Sequence, residues 1–191
     1  MTRTGSESTP TLRHLCARVP DALVPLVPRP APDLPLTAVH ISELTDPTPY
    51  LDGGELLLTT GLTLPRRDDG CRRYVDRLVD AGLAGIALGL GPVHHRAPAA
   101  LERACRSAGL PLLVVPDEVP FLAVTRGFWE AVGEEHERLL YAALAADRRI
   151  VAAATSTDPV PAVVRALAEA VHGWAVLVDV HGAALQSWPP E

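Results

Sequence analysis

Residues 55–61, Glu-Leu-Leu-Leu-Thr-Thr-Gly, decide the fold that the sequence predicts. The three leucines form a short apolar run without a polar face, and Gly54 and Gly61 bound it. Such a run is typical of a strand buried on both faces rather than of a helix. Thr59 and Thr60 then fall at the carboxyl end of the strand, where hydroxyls can approach a small ligand. The alternative is that the two threonines only cap the next turn.

Composition limits the classes of protein that the chain can represent. It has 191 residues, of which 48% are hydrophobic, and a net charge of -6, which suits one or two small globular domains. The acidic balance argues against nucleic-acid binding by this chain, because phosphate contacts need a basic surface. No apolar run predicts a membrane span or a secretory signal. Three cysteines without a CxxC motif indicate free thiols in a reducing cytoplasm.

Lysine is absent, and every one of the 17 basic residues is arginine. The sequence therefore excludes a P-loop, whose lysine reaches the nucleotide phosphates. It also excludes Schiff-base chemistry and serine–lysine nucleophile pairs. No metal site, cofactor or catalytic residue is predicted.

Short strands alternate with helices through the first 120 residues. The prediction is a strand at 39–41, the strand of residues 55–61, a helix at 71–81, a strand at 84–88, a helix at 98–108 and a strand at 111–116. This order predicts an α/β fold with a small, mainly parallel sheet and flanking helices. The helix at 71–81 is expected to bury Tyr74, Val75, Leu78 and Val79. The proline-dense segment 20–35 is expected to be extended, polyproline-like chain.

A long helix is predicted from Phe121 to about Arg149, longer than one face of so small a domain requires. Its apolar stripe comprises Phe121, Val124, Phe128, Val132, Leu139, Leu140, Ala143 and Leu144. We expect part of it to pair with a second copy or to carry a signal, the alternative being a helix docked on its own sheet. A helix at 158–172 and a hairpin at 174–188 predict the start of a second α+β domain, cut short here. The alternative is that the hairpin completes a dimer interface.

Unusual residues gather where the predicted strands end. Glu43 follows the first strand, Thr59 to Gly61 the second, and Gly89 and Gly91 the next. Because ligands bind outside the carboxyl ends of parallel strands, these residues predict a pocket for a small polar molecule, such as a heterocycle or ureide.

Three other features carry weaker signals. Gly89-Leu90-Gly91 has the start of a dinucleotide fingerprint, but His94 stands where the third glycine belongs. The pair His94-His95 is interpreted as an exposed loop pair rather than as metal ligands, because no second ligand pair is suitably spaced. Cys71 and Cys105 are interpreted as buried thiols rather than as nucleophiles.

Several motifs in a fixed order resemble those of one regulator family. They are HISEL, the stretch YLDGGELLLTTGL, the span YVDRLVDAGLAGIALGLG and AGLPLLVVPDEVPF. Over about residues 11–125 the chain resembles the amino-terminal domain of PucR-type (purine catabolism) transcriptional regulators. From Leu139 onward it is similar to the linker helix and the opening of a GAF- or GGDEF-like middle domain. The proline-dense segment 20–35 departs from the usual pattern.

The resemblance implies a cytoplasmic, homodimeric sensor that binds a purine, ureide or other nitrogen-metabolism effector. It implies a sensor domain at 11–120, a linker helix at 121–151, with the dimer contact at 121–150, and a truncated second domain at 152–191. Residues 1–10 are polar and lack periodicity, which predicts a disordered tail. DNA would be bound by a helix-turn-helix absent from this chain. The candidate ligand-binding residues, which match the motif positions, are Glu43, Glu55, Thr59, Thr60, Gly61, Gly89 and Gly91. The alternatives are a small enzyme with Glu43 or Glu55 as acid–base, or a ligand-free interaction scaffold.

Overall fold

The computed structural model describes residues 9–27 and 31–189. The helices are α1 (Leu12–Arg18), α2 (Asp68–Asp80), α3 (Ala99–Ala108), α4 (Phe121–Ala154) and α5 (Pro159–Ala170), with a 3-10 turn at Thr48–Tyr50. The strands are β1 (Val24–Val27), β2 (Ala38–Ile41), β3 (Glu55–Thr59), β4 (Gly85–Gly89), β5 (Leu112–Val115), β6 (Ala175–Val178) and β7 (Ala184–Trp188). The tail predicted at 1–10 falls outside this description for residues 1–8.

Five strands form one sheet in the order β1-β5-β4-β3-β2. Strands β2 to β5 are parallel, and β1 joins the edge antiparallel to β5, with Val24 opposite Val114. The prediction of a small, mainly parallel sheet with flanking helices is confirmed. All five residues of β3 are buried, as expected for a strand without a polar face.

The leucines of β3 alternate between two apolar layers, because successive side chains of a strand point to opposite faces. Leu57 lies in the layer formed with α2 and α3, and its neighbours Leu56 and Leu58 lie in the layer that contains residues of α1 and the first part of α4. All three leucines are fully buried. The sheet is therefore covered on both faces, which leaves its strand ends for a ligand.

Helix α2 buries Cys71, Tyr74, Val75 and Leu78, which have the i, i+3, i+4, i+7 spacing of one helix face. The expected burial of Val79 is wrong, since 40% of it is exposed. It lies at the edge of this stripe, one position past the last buried leucine. Asp68 of α2 forms an ion pair with Arg103 of α3 at 2.7 Å.

The proline-dense segment contains a strand that the sequence analysis missed. Residues 20–22 form a turn instead of extended chain, with the amide of Leu23 donating to the carbonyl oxygen of Val19. Val24–Val27 is extended, as expected, but it pairs with β5 instead of running free. Pro25 is tolerated because β1 is an edge strand, where one missing amide hydrogen breaks no central ladder. The prediction also covered residues 28–30, which lie outside the described part of the chain.

Helix α4 runs for 34 residues, from Phe121 to Ala154, and the chain divides within it into two compact units, one ending at Glu135 and one starting at His136. In the first unit, Val124 and Phe128 of the predicted stripe are fully buried. In the second unit, Leu140 and Leu144 are 59% and 46% exposed, so the stripe does not continue as buried surface. The side chain of Leu139 lies outside the description.

The second unit contains α5 and a hairpin of β6 and β7. Val164 and Ala168 of α5 are buried, and Arg165 lies 4.8 Å from the ring centre of Trp188. The predicted helix and hairpin are confirmed, whereas the predicted domain limits at 120 and 151 stay a prediction. Among the described helices, none combines the length and apolar character that a bilayer crossing needs.

Candidate functional site

Glu43 joins the ends of β2 and β3. Its carboxylate accepts hydrogen bonds from the hydroxyl of Thr59 at 3.0 Å, from the backbone amide of Thr60 and from the amide of Leu62 at 3.3 Å. Its backbone carbonyl also accepts from the hydroxyl of Thr63 at 2.9 Å. Most of the acceptor capacity of this carboxylate is thus used by the loop that follows β3.

Thr59 is the buried member of the same hydrogen-bond network. It is 2% exposed, and its hydroxyl donates to Glu43 and accepts from the amide of Gly61 at 3.1 Å. The hydroxyl has a single proton, which Glu43 takes. Thr59 therefore holds the turn, whereas Thr60 is half-buried and its hydroxyl has no hydrogen bond to another described residue.

Gly61 lies where two loops meet. Its φ of +74° favours glycine, and a Cβ there would lie 2.8 Å from atoms of His94, Leu64 and Leu88. The Nε2 of His94 lies 3.1 Å from the carbonyl oxygen of Gly61. Because a carbonyl oxygen only accepts, this nitrogen carries the proton. The loop after β4 is thereby fixed to the loop after β3.

Gly89 and Gly91 place the end of β4 against the start of α4 and the segment before it. A Cβ at Gly89 would lie 2.8 Å from the ring of Phe121 and 3.7 Å from the carbonyl oxygen of Thr59. A Cβ at Gly91 would lie 2.6 Å from a carboxylate oxygen of Asp117. Both glycines permit close approach of neighbouring segments. The ends of β2, β3 and β4 thus converge at one edge of the sheet.

Glu55 does not share this edge. It is the first residue of β3, and its carboxylate accepts hydrogen bonds from the amides of Asp52 at 2.7 Å and Gly53 at 2.9 Å. The side chain is 6% exposed. It stabilises the turn that leads into the strand, at the end opposite to Thr59. The structure therefore separates Glu55 from the other six predicted site residues.

An open cavity of about 770 Å³ lies beside the converging strand ends. Gly61 is the predicted site residue that lines it, and the loop after β3, the loop after β4 and the start of α3 supply the rest. Its polar wall consists of Arg66, His94, His95, Arg96 and Glu102, and its apolar wall includes Leu62, Leu64, Val93 and Leu101. Ligand pockets typically have volumes of ~300–1,000 Å³. The cavity is large enough for a small metabolite.

The histidine pair behaves as loop residues. His95 is exposed and His94 is half-buried against Gly61. In the part of the chain that the structure describes, no three metal-ligating side chains come together.

Cys71 lies at the cavity wall, where its thiol donates to the carbonyl oxygen of Pro65 at 2.9 Å. Burial raises the pKa of this thiol, and the nearby carboxylate of Asp68 raises it further. Burial likewise raises the pKa of Cys105 to about 12. Thiols of this kind are protonated at neutral pH and are poor nucleophiles.

Sequence reasoning missed Arg66 and Arg96 as cavity residues. Each belongs to a short basic cluster, Pro65-Arg66-Arg67 or His94-His95-Arg96, that starts within five residues of a strand-end glycine. The short distance in sequence from Gly61 and Gly91 could have indicated that these arginines lie at the same edge of the sheet.

Comparison with known proteins gives the chain a family. Residues 31–132, more than half of the chain, match the Purine catabolism regulatory protein-like family, PucR, and this range contains every candidate residue and the whole cavity. Over 90 residues the chain is 34% identical to the transcriptional activator PmfR of Paenarthrobacter nicotinovorans, covering 46% of this chain and 18% of that protein. The chain thus spans less than a fifth of that relative's length. No solved structure matches this chain. The chain belongs to the PucR family.

Proposed function

We propose that this chain is the effector-sensing and dimerising region of a PucR-type transcriptional regulator. The cavity beside the carboxyl ends of β3 and β4 is the observation that carries the proposal, because open parallel sheets bind ligands at that edge. The effector would be a small metabolite of purine, ureide or nitrogen metabolism, as the family description suggests. The PmfR relative is described as a transcriptional activator, which supports a regulatory role.

The candidate residues would then have different tasks. Gly61 forms part of the cavity wall, while Glu43 and Thr59 hold the loop that carries Leu62 and Leu64. Gly89 and Gly91 allow the β4 end to lie against the start of α4 and the segment before it. Direct contact of Thr60 with a ligand stays a prediction, as does any ligand role for Glu55.

Binding without turnover is favoured over catalysis. The carboxylates of Glu43 and Glu55 accept hydrogen bonds from backbone amides of neighbouring turns, and neither residue belongs to the lining of the cavity. The thiol at the cavity wall, that of Cys71, has a raised pKa. These groups hold the loops in position, which suits a receptor.

Signalling would pass to a DNA-binding domain outside this chain. The net charge of -6 opposes DNA binding by the chain itself. Dimerisation would use helix α4, whose second part carries exposed Leu140, Tyr141, Leu144 and Val151. Apolar residues in such a stripe are typical of helices that pair.

Calorimetric titration of the chain with purines, ureides, amino acids and nucleotides tests the proposal. We expect saturable binding without product. Ala99 is an exposed residue of the cavity wall. Ala99→Trp should abolish binding, because the larger side chain would occupy the space of the ligand. Ala17→Trp, at an exposed position of α1, is the matched control and should bind normally. Turnover of a ligand, or silence across the whole panel, would overturn the proposal.

A further inference from the structure

Two arginines at the cavity have no carboxylate partner among the residues that the structure describes. Arg66 lies on the loop after β3 and Arg96 on the loop after β4, and both are exposed. Neither makes a hydrogen bond or ion pair with any residue that the structure describes. By contrast, carboxylates pair with Arg18, Arg73, Arg77, Arg103 and Arg165. Arg66 and Arg96 are not the only arginines without a partner among the described residues, but they are the two that line this cavity, in a chain with a net charge of -6.

The remaining wall combines apolar surface with one opposing charge. Leu62, Leu64 and Leu101 contribute apolar side chains, and Glu102 supplies the carboxylate of the lining. Among the arginine and carboxylate side chains of the lining, two positive charges stand against one negative charge. His94 is oriented by its bond to Gly61, so its Nδ1 remains for a further hydrogen bond.

We propose that this cavity binds a small organic carboxylate with an apolar or aromatic body, held through Arg66 and Arg96. Guanidinium groups bind carboxylates through two parallel hydrogen bonds. The leucines would cover the body of the ligand, which a bare inorganic anion lacks. This inference rests on the proposed sensor function and deepens it by giving the charge and shape of the effector.

Matched pairs of probes test the charge preference. Benzoate, orotate and succinate are titrated calorimetrically into the full chain, each beside its neutral amide, and inorganic phosphate is titrated separately. We expect at least one carboxylate to bind saturably, with its amide at least tenfold weaker and phosphate weaker still. Added salt should lower the affinity for the carboxylate, because ionic strength screens the attraction between exposed charges.

Single variants test the two arginines. Arg66→Gln and Arg96→Gln should each lower the affinity for the carboxylate at least tenfold and leave the affinity for its amide unchanged. Arg126→Gln, at an exposed arginine of α4 that also lacks a partner among the described residues, should leave both unchanged. Circular dichroism and urea unfolding confirm that each variant is folded.

The outcomes separate this inference from the sensor function. An unchanged affinity for the carboxylate in both Arg66→Gln and Arg96→Gln would overturn the inference. Inorganic phosphate that binds as tightly as the best carboxylate would overturn it too. Binding of neutral compounds alone, lost in Ala99→Trp, would overturn the anion preference and leave the sensor function standing. Failure of every compound in both panels would overturn both.

Discussion

The ring of Phe121 fills the space next to Gly89 that a Cβ would need, with two ring carbons 2.8 Å from that position. Gly89 ends β4, and Phe121 is the first residue of α4. The start of the long helix is therefore in contact with the strand whose following loop lines the cavity. A shift of that loop on ligand binding would reach α4 through this contact.

Gly89→Ala should destabilise the fold by about 1–3 kcal/mol, because the added methyl group overpacks a buried site and displaces the Phe121 ring. Urea unfolding measures the change. Gly133→Ala is the matched control within α4, since a Cβ there meets nothing within 4 Å. Alanine should stabilise that exposed helical position by about 0.5–1 kcal/mol. Equal effects of the two substitutions would contradict the importance of the Gly89–Phe121 contact.

Glu43→Gln should destabilise the loop after β3. The amide group replaces one acceptor oxygen with a donor and faces the N–H or hydroxyl donors of Thr59, Thr60 and Leu62. One unpaired group of this kind costs about 1–3 kcal/mol. Glu118→Gln is the control, because Glu118 is exposed and its carboxylate makes no hydrogen bond within the described chain. A midpoint of urea unfolding that is the same for Glu43→Gln and the wild-type chain would refute the role of Glu43 in holding the loop.

The local pattern of the sequence was sufficient for much of the sheet. The short leucine run between glycines predicted β3, and the helix predicted at 98–108 corresponds to α3, which Gly109 ends with a φ of +70°. Strand β1, in which Val24 pairs with Val114, was not predicted because prolines in a segment argue against a strand. At an edge, that pairing depends on a partner 90 residues away in sequence, which no local pattern reveals.

The site was predictable only in part for a geometric reason. Glu55 and Thr59 are close in sequence, yet at about 3.3 Å per residue a strand separates them by roughly 13 Å. Arg66 and Arg96 are 30 residues apart and still line one cavity. Strand ends could be derived from the sequence, whereas the loops that meet above them depend on tertiary contacts such as that of His94 with Gly61.

Stability should fall at alkaline pH. Burial raises the pKa of Cys105 from an ordinary value near 9 to about 12, and burial together with the charge of Glu43 raises that of Tyr74 from near 10 to about 12. Between those limits the unfolded chain loses protons that the folded chain keeps, so the free energy of unfolding decreases as pH rises. Below about pH 8, one unit under the lower of these values, both groups are protonated in either state and contribute almost no slope.

Urea unfolding at pH 8, 9, 10 and 11 measures this slope. Cys105→Ala should be less stable at pH 8, because it leaves a cavity, but its stability should decline less steeply above pH 9. The removed slope is at most about 1.4 kcal/mol per pH unit, corresponding to one proton. A parallel decline in the variant and the wild-type chain would show that Cys105 does not titrate as its burial requires.

Leu144→Glu should weaken self-association of the chain. Leu144 shares an exposed stripe of α4 with Leu140, Tyr141 and Val151, which are 46–64% exposed together with it. If this stripe packs against a second copy, a buried carboxylate would be unpaired there and the dimer would dissociate. Ala142→Glu is the control, because residue 142 is exposed and lies about 200° around the helix from Leu144.

Sedimentation velocity over a range of concentrations distinguishes the outcomes. The wild-type chain and Ala142→Glu should sediment as dimers at concentrations where Leu144→Glu sediments as a monomer. Ligand titration of Leu144→Glu should give the wild-type affinity, because the cavity lies wholly within residues 61–102 of the first unit. A Leu144→Glu chain that remains dimeric, or a wild-type chain that is monomeric throughout, would rule out pairing through this part of α4.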